Sequence, residues 1–177
     1  MASKLRVDSI LPVDGAPTDG GGGIVQVKQV YKNDEFTSES ATFVDVTGMQ
    51  VSITPKFNTS KILVRADVHC ASEAWNYGPC ILKVVYAPDN STYGDIGMPA
   101  TGTHVGHMIQ QLYSNSNSNT EQNASSVNWQ YLHSPATTSQ IGYKLQGRIQ
   151  LAGSWWVNRS AAAHYAVSSI TLMEVSA

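Results

Sequence analysis

Between Lys61 and Cys70, apolar and polar residues alternate one by one. The apolar positions are Ile62, Val64, Ala66, Val68 and Cys70, and the residues between them are mostly polar or charged. Because successive side chains of a β-strand point to opposite faces, this alternation predicts a strand with one buried face. It is the clearest such segment in the chain, and it constrains the fold more than any other feature.

Shorter β-type segments extend over most of the remaining chain from Ile24 onward. They lie at residues 24–31, 43–48, 51–53, 81–86, 104–113, 127–132, 141–151, 155–157 and 165–175, with turn residues between them. A polar, low-complexity stretch at residues 114–126 is interpreted as a loop. No long window carries apolar residues at helical spacing. Many short strands separated by turns predict an all-β protein, an antiparallel sandwich or barrel.

Composition and length exclude several classes of protein. The 177 residues divide into a tail, residues 1–23, which ends in four glycines, and a body, residues 24–177, large enough for one domain. With 11 basic and 13 acidic residues the net charge is −2, so we expect no nucleic-acid partner. No apolar run approaches 18 residues, so we expect no membrane insertion.

The two cysteines, Cys70 and Cys80, flank a turn-type sequence, Asn76-Tyr77-Gly78-Pro79. They could lie on paired strands around that turn and form a disulfide. The alternative is that both are reduced, buried residues that act as small hydrophobic side chains.

Apolar residues on both faces of a strand pose a burial problem. Trp155 and Trp156 are adjacent, so in one strand they face opposite ways. Near the C-terminus, Ile170 and Leu172 face one side, and Met173 and Val175 the other. The resulting patch predicts a subunit interface containing Trp155, Trp156, Met173, Val175 and Leu63. The alternative is a bulge or loop that brings both indoles into one core.

No pattern of catalytic or metal-ligating residues stands out. His104 and His107 would fall on opposite faces of a strand, which disfavours a shared metal ion. The chain has no Gly-x-Ser-x-Gly motif, no phosphate-binding loop and no assignable pair of carboxylates. We therefore expect no enzyme activity, no cofactor and no metal.

Several aromatic residues lie near turns or near the polar stretch. They are Trp75, Tyr77, Trp129 and Tyr131. Such rings can contact sugars at loop tips, and Trp75, Tyr77 and Trp129 are the candidate glycan contacts. Their alternative role is packing in the core.

Three parts of the body resemble a recurrent domain of phage structural proteins, especially those of marine and cyanobacterial phages. The matching stretches are residues 43–55 (FVDVTGMQVSITP) with 60–64 (SKILV), 131–135 (YLHSP) with 143–147 (YKLQG), and 157–160 (VNRS) with 168–175 (SSITLMEV). The leader at residues 3–12 (SKLRVDSILP), followed by the glycine run, resembles the N-terminal attachment segment of such proteins.

The resemblance implies a trimeric jelly roll, similar to the heads of tumour-necrosis-factor-type and complement-type proteins. It also implies a location on the virion, as a short fibre or appendage joined to a capsid or tail protein through the arm. The arm residues expected to anchor it are Leu5, Arg6, Val7, Ile10 and Leu11. Alternative functions are a capsid decoration protein and a lectin-like module that binds host glycans.

Overall fold

The computed structural model describes residues 23–72, 79–98, 106–110, 123–150, 153–159 and 165–176. Within these ranges the chain is all-β and forms two antiparallel sheets without a helix. The strands are β1 (Ile24–Lys32), β2 (Phe36–Ser38), β3 (Val44–Ile53), β4 (Lys61–Ser72), β5 (Cys80–Ala87), β6 (Gly94–Asp95), β7 (Met108–Gln110), β8 (Asn123–His133), β9 (Ile141–Ile149), β10 (Trp155–Val157) and β11 (Ser168–Val175).

The first sheet is built around β4. Along residues 61–67, β4 pairs with β11, which pairs in turn with β1. Further along, β4 pairs with β10, and β10 with β2. The other side of β4 pairs with β8 over its whole length, without a register shift. We call this sheet the β4 sheet.

The second sheet is built around β9 and β5. β9 pairs with β3 on one side and with β5 on the other. The far side of β5 pairs with two short strands, with β7 at Cys80–Leu82 and with β6 at Val85–Tyr86. We call this sheet the β5 sheet. Its strand β5 has partners on both sides, as expected for a strand that is apolar on both faces.

The hydrophobic core lies between the two sheets. The alternating residues of β4 that begin at Ile62 are buried there, as the sequence predicts. Leu82, Leu145 and Tyr143 of the β5 sheet pack against the same core. Trp155 lies deep in it, with its ring centroid 5.2 Å from that of Phe36. Burial of these side chains is the main stabilising contribution.

One assignment differs from the sequence-based expectations, and the structure specifies two others further. Residues 123–126, assigned to the polar loop, belong to β8, because they pair with β4. In the region expected as a strand at 104–113, the described strand is Met108–Gln110. Cys70 and Cys80 are free and buried, which confirms the second of the two alternatives, and they lie on opposing sheets, not on paired strands.

Candidate interaction surface

Strand pairing aligns four apolar side chains across the β4 sheet, on the face that points away from the core. Leu63 of β4 lies opposite Met173 of β11 on one side and opposite Leu132 of β8 on the other. Met173 lies in turn opposite Val27 of β1. Directly opposed side chains of antiparallel strands are about 5 Å apart, so the four form a continuous line. We call these four residues the apolar row.

The apolar row is open to solvent in the single chain. Val27 is 52% exposed and Leu132 is 48% exposed, while Leu63 and Met173 between them are half-buried. At the adjoining end of the sheet, Val175 lies opposite Ile24, which is 62% exposed. A contiguous exposed apolar surface of this kind is typical of a protein–protein contact.

The middle of this face is mostly polar, apart from the exposed ring of Tyr31. The next two lines of cross-strand neighbours are Gln29, Thr171, Arg65 and Gln130, and then Tyr31, Ser169, Asp67 and Asn128. Arg65 and Asp67 form an exposed ion pair at 2.8 Å, which contributes little to stability. The exposed aliphatic side chains of the apolar row therefore lie at one end of the face.

The outer face of the β5 sheet is different, because its charges are paired with one another. Lys144 Nζ lies 2.7 Å from Asp45 and 4.0 Å from the centre of the Tyr93 ring. Lys83 pairs with Asp95 at 2.5 Å. Burial opposes the charge of Asp45, but the hydrogen bonds from Lys144 and Gln146 outweigh it and lower the Asp45 pKa. This face is a polar surface with its own internal partners.

The N-terminal arm joins the body at the apolar end of the β4 sheet. The N–H of Gly23 donates to Ser176 Oγ, and the N–H of Ser176 donates to the Gly23 carbonyl, both at 3.1 Å. Gly23 precedes Ile24 directly. The expected anchoring residues Leu5, Arg6, Val7, Ile10 and Leu11 lie outside the described residues.

Two of the five predicted interface residues require a correction. Trp155 is fully buried, and Trp156, on the opposite side of β10, is only 8% exposed in the single chain. The alternation of the two rings is as expected, but this end of the sheet is covered by the chain itself. The tryptophans therefore provide no exposed patch. Leu63, Met173 and Val175 do lie on the expected outer face.

Trp129 belongs to a line of stacked rings on the core side of β8. Its indole is 4.1 Å from the His107 ring and 5.7 Å from the Tyr131 ring, with nearly parallel planes. His133 continues the line two residues after Tyr131. We call His107, Trp129, Tyr131 and His133 the aromatic ladder. This arrangement gives Trp129 a packing role. The other candidate glycan contacts, Trp75 and Tyr77, lie outside the described residues.

The ladder also closes the side of the molecule between the two sheets. His133 Nδ1 lies 2.8 Å from the hydroxyl of Tyr143, and the His133 ring packs edge-on against Tyr86. The sequence signal for this feature is the period of two that relates Trp129, Tyr131 and His133. That period alone does not distinguish a line of stacked rings from separate glycan contacts or core residues.

In the part of the chain that the structure describes, no cluster of three or more His, Cys, Asp or Glu residues could hold a metal ion. The same described residues contain no helix long and apolar enough to cross a membrane.

No protein-family model matches the chain, and no curated protein matches it.

Proposed function

We propose that this protein is a structural component of a bacteriophage particle. In this proposal it is a short fibre or appendage, in which the arm attaches to a capsid or tail protein. The body projects as a trimeric jelly-roll head, through which the particle contacts its host. The exposed apolar row on the β4 sheet is the observation that carries the proposal, because it gives the head a surface for assembly.

The strand order supports the jelly-roll part of the proposal. The sheet of β1, β11, β4, β8, β10 and β2 packs against the sheet of β3, β9, β5, β6 and β7. Among the described strands the chain changes sheet six times, between β2 and β3, β3 and β4, β4 and β5, β7 and β8, β8 and β9, and β9 and β10. Repeated crossing between two antiparallel sheets is typical of a jelly roll.

The apolar row supports the assembly of several copies. Full burial of a Val or Leu side chain contributes about 1.5–3 kcal/mol, so a half-exposed one that becomes buried contributes about 1 kcal/mol. Val27, Leu132 and Ile24 are each about half-exposed or more. In a closed trimer every subunit presents this surface, so the contribution is made three times. The two buried tryptophans do not contribute to this surface.

The position of Gly23, where the arm meets the body, is consistent with an attachment segment. The hydrogen bonds between Gly23 and Ser176 fix the point where the arm leaves the body. All three arms of a trimer built on the apolar row would leave from the same end of the head. The resemblance of residues 3–12 to phage attachment segments points to a capsid or tail protein as the partner.

The oligomeric state can be tested by light scattering of the purified protein after gel filtration. We expect a mass three times that of the 19.1 kDa chain. Leu132→Lys, which puts a charge into the apolar row, should give the monomer mass. Thr47→Lys is the matched control, since Thr47 is an exposed strand residue of the other sheet. A wild-type monomer, or a Leu132→Lys trimer, would contradict the trimeric head.

The attachment can be tested by deletion of residues 2–22, which leaves Gly23 on Ser176. The shortened protein should fold and assemble as before but should be missing from purified particles. Immunogold labelling of particles that carry the full chain would then distinguish a tail appendage from a decoration of the capsid surface. Normal incorporation of the shortened protein would refute the role of the arm.

A further inference from the structure

A histidine side chain takes the place of a strand at one edge of the β5 sheet. β7 pairs with β5 as far as Leu82, and β6 begins to pair at Val85. In the gap between them, the N–H of Val84 donates to His107 Nδ1 at 2.8 Å. The N–H of His107 donates to the Leu82 carbonyl, also at 2.8 Å.

The partners of His107 define its protonation state. Its Nε2 lies 2.6 Å from the carbonyl oxygen of Ile96, which can only accept a hydrogen bond. Nε2 therefore carries a proton, and Nδ1, which accepts from Val84, carries none. The bond from Val84 requires the neutral imidazole, because the charged ring has no acceptor nitrogen. A second proton would have to go on Nδ1, where it would face the N–H of Val84.

The surroundings of His107 disfavour the positive charge. Burial lowers its pKa below the ordinary value of 6.5, and this effect exceeds the opposing effects of the Ile96 carbonyl and of Asp95. Lys83 also disfavours the charge, but it is itself paired with Asp95. From the side of β8, His107 meets the uncharged Trp129 ring.

His133 occupies a similar position further along the aromatic ladder. It is half-buried between β8 and the tyrosines of the β5 sheet, with Tyr143 as its hydrogen-bond partner and Tyr86 against its ring. Burial lowers the pKa of His133 as well. Its ring also contacts those of Tyr131 and Tyr143, and burial raises the pKa of the Tyr143 hydroxyl.

We propose that the aromatic ladder is an acid-sensitive latch between the two sheets, with His107 as the group that releases it. Protonation of His107 removes the Val84 hydrogen bond and places two donors against each other. The ring then leaves the β5 edge and Trp129, and the contacts of Ile96 and Met108 with that edge are released. The proposal depends on neither the trimer nor the particle.

The direction of the effect follows from proton linkage. In the closed state, the structure described here, the pKa of His107 lies below 6.5. In the open state, with the ring withdrawn from the β5 edge, we expect the ordinary pKa near 6.5, so the open state binds the proton more readily. The closed state is therefore fully favoured above pH 6.5 and is progressively lost as the pH falls below it. At pH 5, the open population should increase by up to about thirtyfold, the limit for a closed state that binds no proton.

Amide hydrogen exchange of the full-length protein at pH 7.5 and pH 5 tests the latch. We expect the protection factor of the Val84 amide, corrected for intrinsic exchange, to fall by tenfold or more at pH 5. His107→Gln keeps a donor and an acceptor but does not titrate, so its protection should not change with pH. His69→Gln is the matched control, because His69 is partly buried on the outer face of β4 and makes only a 3.5 Å contact with Ser126. It should respond to acid as the wild type does.

Two results would overturn the latch. One is a Val84 protection factor in the wild type that is the same at both pH values. The other is a His107→Gln protein with the full acid response. If His107→Gln does not fold, ¹⁵N NMR of the wild-type imidazoles provides the test. A His107 that is already charged at pH 7.5, or one that becomes charged while Val84 stays protected, would refute the proposal.

Discussion

Glu174 offers the most direct test of how the apolar end of the β4 sheet is held together. Its carboxylate is fully buried at the end of β11. Oε1 accepts the N–H groups of Lys56 at 2.8 Å and Phe57 at 3.3 Å, and Oε2 accepts from Gln26 Nε2 at 2.6 Å. None of the described basic residues forms an ion pair with it. The carboxylate thus ties the turn before β4 to the strands of the apolar row.

Removal of this carboxylate should be costly, because its donors are left without a partner. A hydrogen bond to a charged group contributes about 1.5–3 kcal/mol, and the bond from Phe57 is the longer of the two backbone bonds. We therefore expect Glu174→Ala to lower the free energy of unfolding by about 3–4 kcal/mol. Glu174→Gln keeps one neutral acceptor and should cost about half as much.

The measurement is urea unfolding followed by tryptophan fluorescence, at one protein concentration because assembly would also add stability. Glu39→Ala is the control, since Glu39 is exposed. A Glu174→Ala protein within about 1 kcal/mol of the wild type would refute the reasoning, because even one bond to a charged group should cost more.

The same variants should differ in their response to acid. Burial raises the pKa of Glu174, but the hydrogen bonds from Gln26 and from the backbone of Lys56 and Phe57 outweigh it, and the pKa lies below the ordinary 4.5. Glu174 therefore contributes stability above pH 4.5, and this contribution is lost as the pH falls from 4.5 through the lowered pKa. Wild-type stability should decline in that range more steeply than that of Glu174→Gln.

Two further predictions concern the packing around the core. An added Cβ at Gly147 would lie 2.7 Å from Cζ3 of Trp155. Gly147→Ala should therefore lower the melting temperature and reduce the free energy of unfolding by about 1–3 kcal/mol. Gly94→Ala is the control and should be nearly neutral, because the space around Gly94 is open. Asn158 is buried, has a φ of 65° and accepts a hydrogen bond from Ser168 Oγ. Asn158→Ala should therefore lower the free energy of unfolding in urea by about 3 kcal/mol. A decrease of less than about 1 kcal/mol would show that the side-chain amide is dispensable.

The sequence predicts the strands well wherever one face is buried. Alternation in β4 gives the correct core face, and in β11 it correctly separates Ile170 and Leu172 from Met173 and Val175. The physical reason is that a one-residue error would move the whole apolar set into water. The assignment of the chain to the all-β class therefore follows from the local sequence pattern alone.

Local pattern fails where the stabilising interaction is not a side chain. Residues 123–126 look like a loop, since they are polar and of low complexity. They are nevertheless strand, because their backbone pairs with His69 to Ser72 of β4. Backbone hydrogen bonds do not depend on the side chain, and β8 has no described strand on its other side, so polar residues are tolerated there.

The candidate surface depends on register, which no single segment contains. Alternation shows that Leu63 and Met173 face outward, but only the pairing of four strands brings Val27 and Leu132 into line with them. The same limit explains the error over Trp156, because alternation gives the direction of a side chain and not what covers it. Burial on an outer face depends on distant parts of the chain.

Strand β8 connects the two proposals, because its opposite faces carry both features. Leu132 lies in the apolar row on the outer face, while Tyr131 and His133 lie in the aromatic ladder on the inner face. β8 is held on one side by β4 alone and on its inner face by the ladder. Release of the ladder in acid would remove the contacts on the inner face of β8, so that its pairing with β4 alone would hold it, and would loosen Leu132 in the row. The two proposals together predict that the wild-type head assembles less tightly at pH 5 than at pH 7.5. His107→Gln should keep its assembly at pH 5, whereas Leu132→Lys should be a monomer at both pH values.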